Sequence, residues 1–146
     1  MTVKRGRTET QRLAAMAAEA DHFITEFAWA PPVSERVCCF AVGDVIAIYL
    51  FTFARAIDGT DTRLWVIVGD LPSAYLVVND NDNPRQAAEG YCRLMEDWCR
   101  AVETGGSTQD LYPVAAEASL ENAQALRARI GFIRSELLKD IPDAVV

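Results

Sequence analysis

With one histidine, no Cys-x-x-Cys pair and no Gly-x-Ser-x-Gly elbow in 146 residues, the chain lacks the usual parts of several chemistries. A serine nucleophile needs a base, and the only imidazole, His22, lies between Asp21 and Phe23 on a predicted helix, where it reads as a structural helix histidine. The four cysteines are no more suggestive. Cys38 and Cys39 are adjacent, so on a strand their side chains point to opposite faces and cannot jointly grip one tetrahedral metal. Cys92 and Cys99 are seven apart on a helix, at or beside its apolar face. All four read as buried free thiols acting as small hydrophobes. No metal and no cofactor is expected.

Basic residues are also scarce, 14 against 21 acidic ones, for a net charge of −7. Nucleic acid is thereby excluded as an expected partner, because a phosphate-binding surface must carry positive charge. The one basic cluster, Lys4, Arg5, Arg7 and Arg12, reads as a solvated tail over residues 1–7 running into the first helix. No apolar segment follows it, since Thr8-Glu9-Thr10-Gln11 is polar, and the expected location is cytoplasmic. Val37 to Ala54 is long and carries only the charge of Asp44, but Gly43-Asp44 interrupts it and β-branched and aromatic residues dominate. A hairpin is expected there, not a membrane span.

The length suits one α+β domain over residues 1–146, with 139–146 as a C-terminal tail, and a chain of this size buries about two thirds of its unfolded surface without disulfides. Thr8-Glu9-Thr10-Gln11 fits a capping box. Behind it Leu13, Met16, Ala17, Ala20, Phe23, Ile24 and Phe27 repeat at helical spacing until Pro31-Pro32. Four strands follow, near 37–42, 45–55, 63–69 and 74–79, separated by Gly43-Asp44, Asp58-Gly59 and a Gly69-to-Ser73 corner, and they predict an antiparallel meander. Both faces of its central strands are apolar, so helices must cover both sides, or a second subunit must cover one.

The second helix begins at Asn83 with Pro84 in its first turn and Gln86 at capping-box spacing, and stops at Gly105-Gly106. Glu89 with Arg93, and Glu96 with Arg100, form i to i+4 pairs on its solvated face. A third helix, about 119–138, carries a seam of Ala123, Leu126, Ile130, Ile133 and Leu137, widened by Phe132 and Leu138. Residues 105–118 read as loop. The oxygen-rich run Asn79-Asp80-Asn81-Asp82-Asn83 fails the calcium-loop spacing, with Pro84 or Arg85 where glycine belongs, and reads as a polar connection with an N-cap.

The candidate working site is the corner Gly69-Asp70-Leu71-Pro72-Ser73 and the residues beside it. Pro72 has no amide to complete an Asx turn, so Asp70 is expected to cap a single helical turn through the Ser73 amide. The alternative places Asp70, Ser73, Tyr75 and Trp65 around a ligand at a strand end.

The stretch Leu64-Trp65-Val66-Ile67-Val68-Gly69-Asp70-Leu71-Pro72-Ser73-Ala74-Tyr75-Leu76 resembles a segment of small uncharacterised bacterial proteins, in which a tryptophan strand leads into Gly-Asp-Leu-Pro-Ser/Thr-x-Tyr. An acidic, tryptophan-bearing helix, here Arg93-Leu94-Met95-Glu96-Asp97-Trp98, follows. The resemblance implies a soluble bacterial α+β domain of unknown function. The expected role is a non-enzymatic accessory or regulatory domain that contacts a protein partner or a second copy of itself, as a homodimer. An acidic protein shielding a basic partner is one form of it. The alternative is a small-ligand binder or enzyme with its pocket beside the Gly69–Tyr75 corner.

Overall fold

The computed structural model describes residues 8–57 and 61–146. Lys4, Arg5, Arg7 and the Asp58-Gly59 pair lie outside the described residues. Helix α1 (Glu9–Thr25) starts with the expected reciprocal cap: the Gln11 amide donates to Thr8 Oγ1 at 3.1 Å and the Thr8 amide to Gln11 Oε1 at 2.9 Å. It stops short of the prolines. The Thr25 hydroxyl donates to the Asp21 carbonyl at 2.7 Å, and two turns then carry the chain to Pro31.

Four strands follow, β1 (Val33–Val42), β2 (Ile46–Phe53), β3 (Arg63–Gly69) and β4 (Ala74–Val77), in one antiparallel sheet ordered β1-β2-β3-β4. The meander is as the turn spacing predicts, but β1 begins four residues early. Its first half, Ser34 to Cys38, is an exposed edge carrying Glu35 and Arg36, so no apolar pattern announces it. Two irregularities in its pairing with β2 interrupt the ladder, a common protection for a sheet edge.

Both faces of the sheet centre are buried by the chain itself. Ile46, Ile48, Leu50, Trp65, Ile67 and Leu76 point to one side, against α2 (Pro84–Glu103) and α3 (Leu120–Phe132). Ala47, Tyr49, Phe51, Leu64, Val66 and Val68 point to the other, under Met16, Ala20 and Ile24 of α1. Alternation along each strand thus feeds two cores, as two apolar faces require. No helix among the described residues is long and apolar enough to cross a membrane, and the long apolar run forms the β1–β2 hairpin.

Helix α2 is capped by Asn83 Oδ1, which accepts from the Gln86 amide at 2.8 Å. Gln86 Oε1 in turn accepts from Asp82, one residue outside the expected box. The α3 seam is buried throughout, and the helix continues as a π-helical turn, Ile133–Leu137, and a short 3-10 turn, Leu138–Asp140. Phe132 is a correction: expected to widen the packed stripe, it is 45% exposed.

The acidic residues of α2 also pair differently. Glu96 takes Arg134 in a two-bond fork at 2.7 and 2.8 Å, Glu103 takes Arg127 the same way, and Arg100 turns to Asp97. A cross-helix fork replaces the expected Glu96–Arg100 pair because guanidinium Nε and Nη2 present two parallel donors to a carboxylate, and Glu89 and Arg93 form no ion pair among the described residues. Residues 139–146 lie against the start of α2. Ile141 is fully buried, and Arg85 donates its amide to Pro142 and its Nε to Ile141.

Candidate functional site

The corner after β3 is locked from two sides. Gly69 has φ +144°, and a Cβ there would sit 2.3 Å from the Val45 carbonyl oxygen, so the backbone passes too close to the β1–β2 turn for any side chain. The next amide, of Asp70, donates to that same Val45 oxygen at 3.0 Å. From the other side the Tyr91 hydroxyl, deep in α2, donates to the Pro72 carbonyl. Residues 71–73 enter β4 without a helical turn, so the expected Asp70 cap does not form. The Asp70 carboxylate is instead largely exposed and pairs with Arg129 of α3, 3.2 Å from Nη2 and 3.3 Å from Nε.

Beyond the corner the chain crosses to the α1 side of the sheet. There Ser73 and Tyr75 line a cavity of about 260 Å³ with Phe23 of α1, Phe27 just past the end of that helix, and Tyr112, Pro113, Val114 and Ala115 of the α2–α3 connection. Tyr75 is its hub. Its ring lies 5.3 Å from Phe27 and 5.9 Å from Tyr112, at interplanar angles of 80° and 71°, and 5.2 Å from Trp29. Phe23 and Phe27 meet edge to face at 5.3 Å. Edge-to-face contact brings the positive rim of one ring to the negative face of the next.

The Tyr112 hydroxyl fixes the connection to the sheet by accepting the Tyr75 amide at 3.0 Å. That amide belongs to the outer edge of β4, so a loop side chain takes the place of a missing fifth strand. Burial pushes the Tyr112 phenol up to about 12, and it is neutral at physiological pH. Ser73 has no hydrogen-bond partner among the described residues. The described lining holds no carboxylate, imidazole or thiol, and what it offers is ring surface and three hydroxyls, those of Ser73, Tyr75 and Tyr112.

The four residues singled out from the sequence therefore divide. Ser73 and Tyr75 meet at the cavity. Asp70 lines one hollow beside α1 and, with Arg129, two beside α3, and Trp65 is fully buried on the face opposite the Ser73 cavity. Trp65 has a polar task of its own: its indole N–H donates to the Asn81 carbonyl at 2.6 Å, while Asn81 Nδ2 donates to Val77 at 3.0 Å. A Cβ at Gly90 would lie 2.9 Å from Asn81 Oδ1, so a glycine of α2 makes room for this buried asparagine. The run from Asn79 to Asn83 is accordingly a connection whose asparagines serve as braces and cap, and among the described residues no cluster fit to hold a metal is present.

His22 is exposed, with its Nε2 4.0 Å from Glu26, and no hydrogen bond joins it to Ser73. Cys92 and Cys99 are buried free thiols as expected, and burial raises both; Cys38 is exposed and Cys39 half-buried, which corrects the reading for that pair. The aromatic residues of this cluster that sequence reasoning did not assign to a site are Phe23, Phe27, Trp29 and Tyr112. A tyrosine beside proline in an otherwise polar connection was the available signal, because an aromatic side chain there needs somewhere to pack. Compared with family models, curated proteins and solved structures, the chain matches none.

Proposed function

We propose that this chain is a small-ligand-binding domain whose site is the cavity between the end of α1, the start of β4 and residues 112–115. One observation carries the reading: three separate segments contribute aromatic rings to one concavity and leave it unfilled. A purely structural junction closes on itself, because rings bordering a void forgo dispersion contacts on that side. The Ser73 hydroxyl in the lining supplies a polar point of attachment, the usual pattern of a binding pocket. The expectation of a protein-contact domain started from apolar sheet surface beyond the reach of three helices. Those helices cover both faces of the sheet centre, so that premise no longer favours a partner over a ligand.

A fragment screen by thermal shift, followed by amide chemical-shift mapping, tests the reading. Ligands that bind only the native state raise its stability, by about 2.7 kcal/mol at a hundredfold excess over Kd. Fragments that stabilise the protein should shift the amides of Phe23, Ser73, Tyr75 and Val114 together. Stabilising fragments that map elsewhere, or none at millimolar concentration, would overturn it.

A further inference from the structure

The cavity's lining also speaks to the class of ligand, an inference that rests on the binding reading just given. We infer that the site takes an uncharged, flat aromatic molecule of about two fused rings, with a hydrogen-bonding group directed at Ser73. Size comes first: apolar cavities of about 150 Å³ hold a single benzene ring, and this one is about 260 Å³. Charge comes second. The described lining carries no cation to receive an anionic ligand and no carboxylate to receive a cationic one, and burying an unpaired charge among rings is costly.

The missing carboxylate separates a neutral ligand from a compact cation such as a quaternary ammonium, whose charge the rings alone would have to hold. Flatness follows from the wall itself. Phe23, Phe27, Tyr75 and Tyr112 stand at 86°, 80° and 71° to their neighbours, and a flat ring can meet such a wall edge to face or offset. The Tyr112 oxygen already accepts the Tyr75 amide, which leaves the hydroxyls of Ser73 and Tyr75; Ser73 is assigned as the polar point because its hydroxyl both donates and accepts and its side chain adds no ring to the wall.

Three probes of similar bulk decide the matter: indole, indole-3-carboxylate and tetraethylammonium, titrated by calorimetry with the amides of Ser73, Tyr75 and Val114 followed by NMR. Indole should bind at least about tenfold tighter than either ion. Ser73→Ala, which removes the hydroxyl and adds no bulk, should weaken indole about fivefold, the effect of one hydrogen bond, and leave 1-methylindole unchanged. Equal or tighter binding of either ion at these amides overturns the ligand class and leaves the site standing. An unchanged indole affinity in Ser73→Ala overturns the role of the hydroxyl. If no probe moves these amides, the site itself fails and this inference with it.

Discussion

The two sides of the sheet are built from the same alternating strands yet end in different states. On the α2–α3 side large side chains interlock, with Trp65, Tyr91 and Met95 fully buried and the Trp65 indole N–H satisfied by Asn81. On the α1 side a single helix brings three fully buried residues, and the rings at the end of that layer surround a cavity. Two helices crossing a sheet can fill it; one helix leaves its margins to loops. The difference teaches where this fold keeps stability and where it has room for a ligand, since binding regions are drawn from the less tightly packed parts of a structure.

The sharpest way to expose the contrast is to delete one ring on each side. Trp65→Ala should cost about 3–5 kcal/mol, through lost burial, an unfilled cavity and an Asn81 carbonyl left without its donor. Phe27→Ala, removing a half-buried ring beside a void that already exists, should cost roughly half as much. Urea unfolding midpoints at constant m-value measure both. Equal losses would mean that the α1 side is packed as tightly as the other.

Acid should loosen the packed side first. The Arg134 guanidinium holds the Glu96 carboxyl below its ordinary range, so the pair adds stability above the unfolded pKa of about 4.3 and loses it as pH falls through the lowered folded value. Because the pair is only partly buried, its worth is about 1–2 kcal/mol. Between pH 6 and pH 3 the wild type should therefore lose more stability than Glu96→Gln, in which this titration is absent. A parallel decline in both proteins would show that the fork does not tie α2 to α3.

Much of this division was legible in the sequence, and the illegible parts share a cause. Apolar runs on both faces of β2 and β3, the caps at Thr8 and Asn83, and the α3 seam are local patterns, and each formed where its spacing put it. Asp70 was misread because its partner, Arg129, lies 59 residues away, beyond the reach of any turn rule. The start of β1 was invisible because an exposed edge strand needs no apolar alternation. Ser73 and Tyr75 stood out by their place at a strand end, but Phe23 and Phe27 passed as ordinary stripe residues. Only the fold shows that the last turn of α1 and the Tyr112 loop arrive at the same strand.

That loop supplies a smaller test. Tyr112→Phe keeps the ring in the cavity wall and removes the acceptor for the Tyr75 amide, so it should cost about 1 kcal/mol. Hydrogen exchange at Tyr75 should quicken about fivefold while the amides of β2 and β3 hold their protection. Unchanged exchange would mean that the hydroxyl does not guard the edge of β4.

The smallest effect concerns a group on the α1 side that mirrors Trp65 in reverse. Tyr49 is nearly fully buried, opposite Cys38 on β1 and Val66 on β3, and its hydroxyl has no partner among the described residues. A buried hydroxyl without a partner contributes nothing that offsets its desolvation, so Tyr49→Phe should leave stability unchanged or raise it by up to about 1 kcal/mol. Burial pushes the Tyr49 phenol up to about 12, which fixes the sign of the alkaline response: the fold accepts the protonated form. Stability tied to Tyr49 is therefore constant below the unfolded pKa of about 10 and falls as pH rises toward 12. Tyr49→Phe should remove that part of the alkaline decline and leave the acid limb untouched. If the substitution instead destabilises the protein by more than about 1 kcal/mol, the hydroxyl has a partner in solution, and the α1 side is better satisfied than its packing indicates.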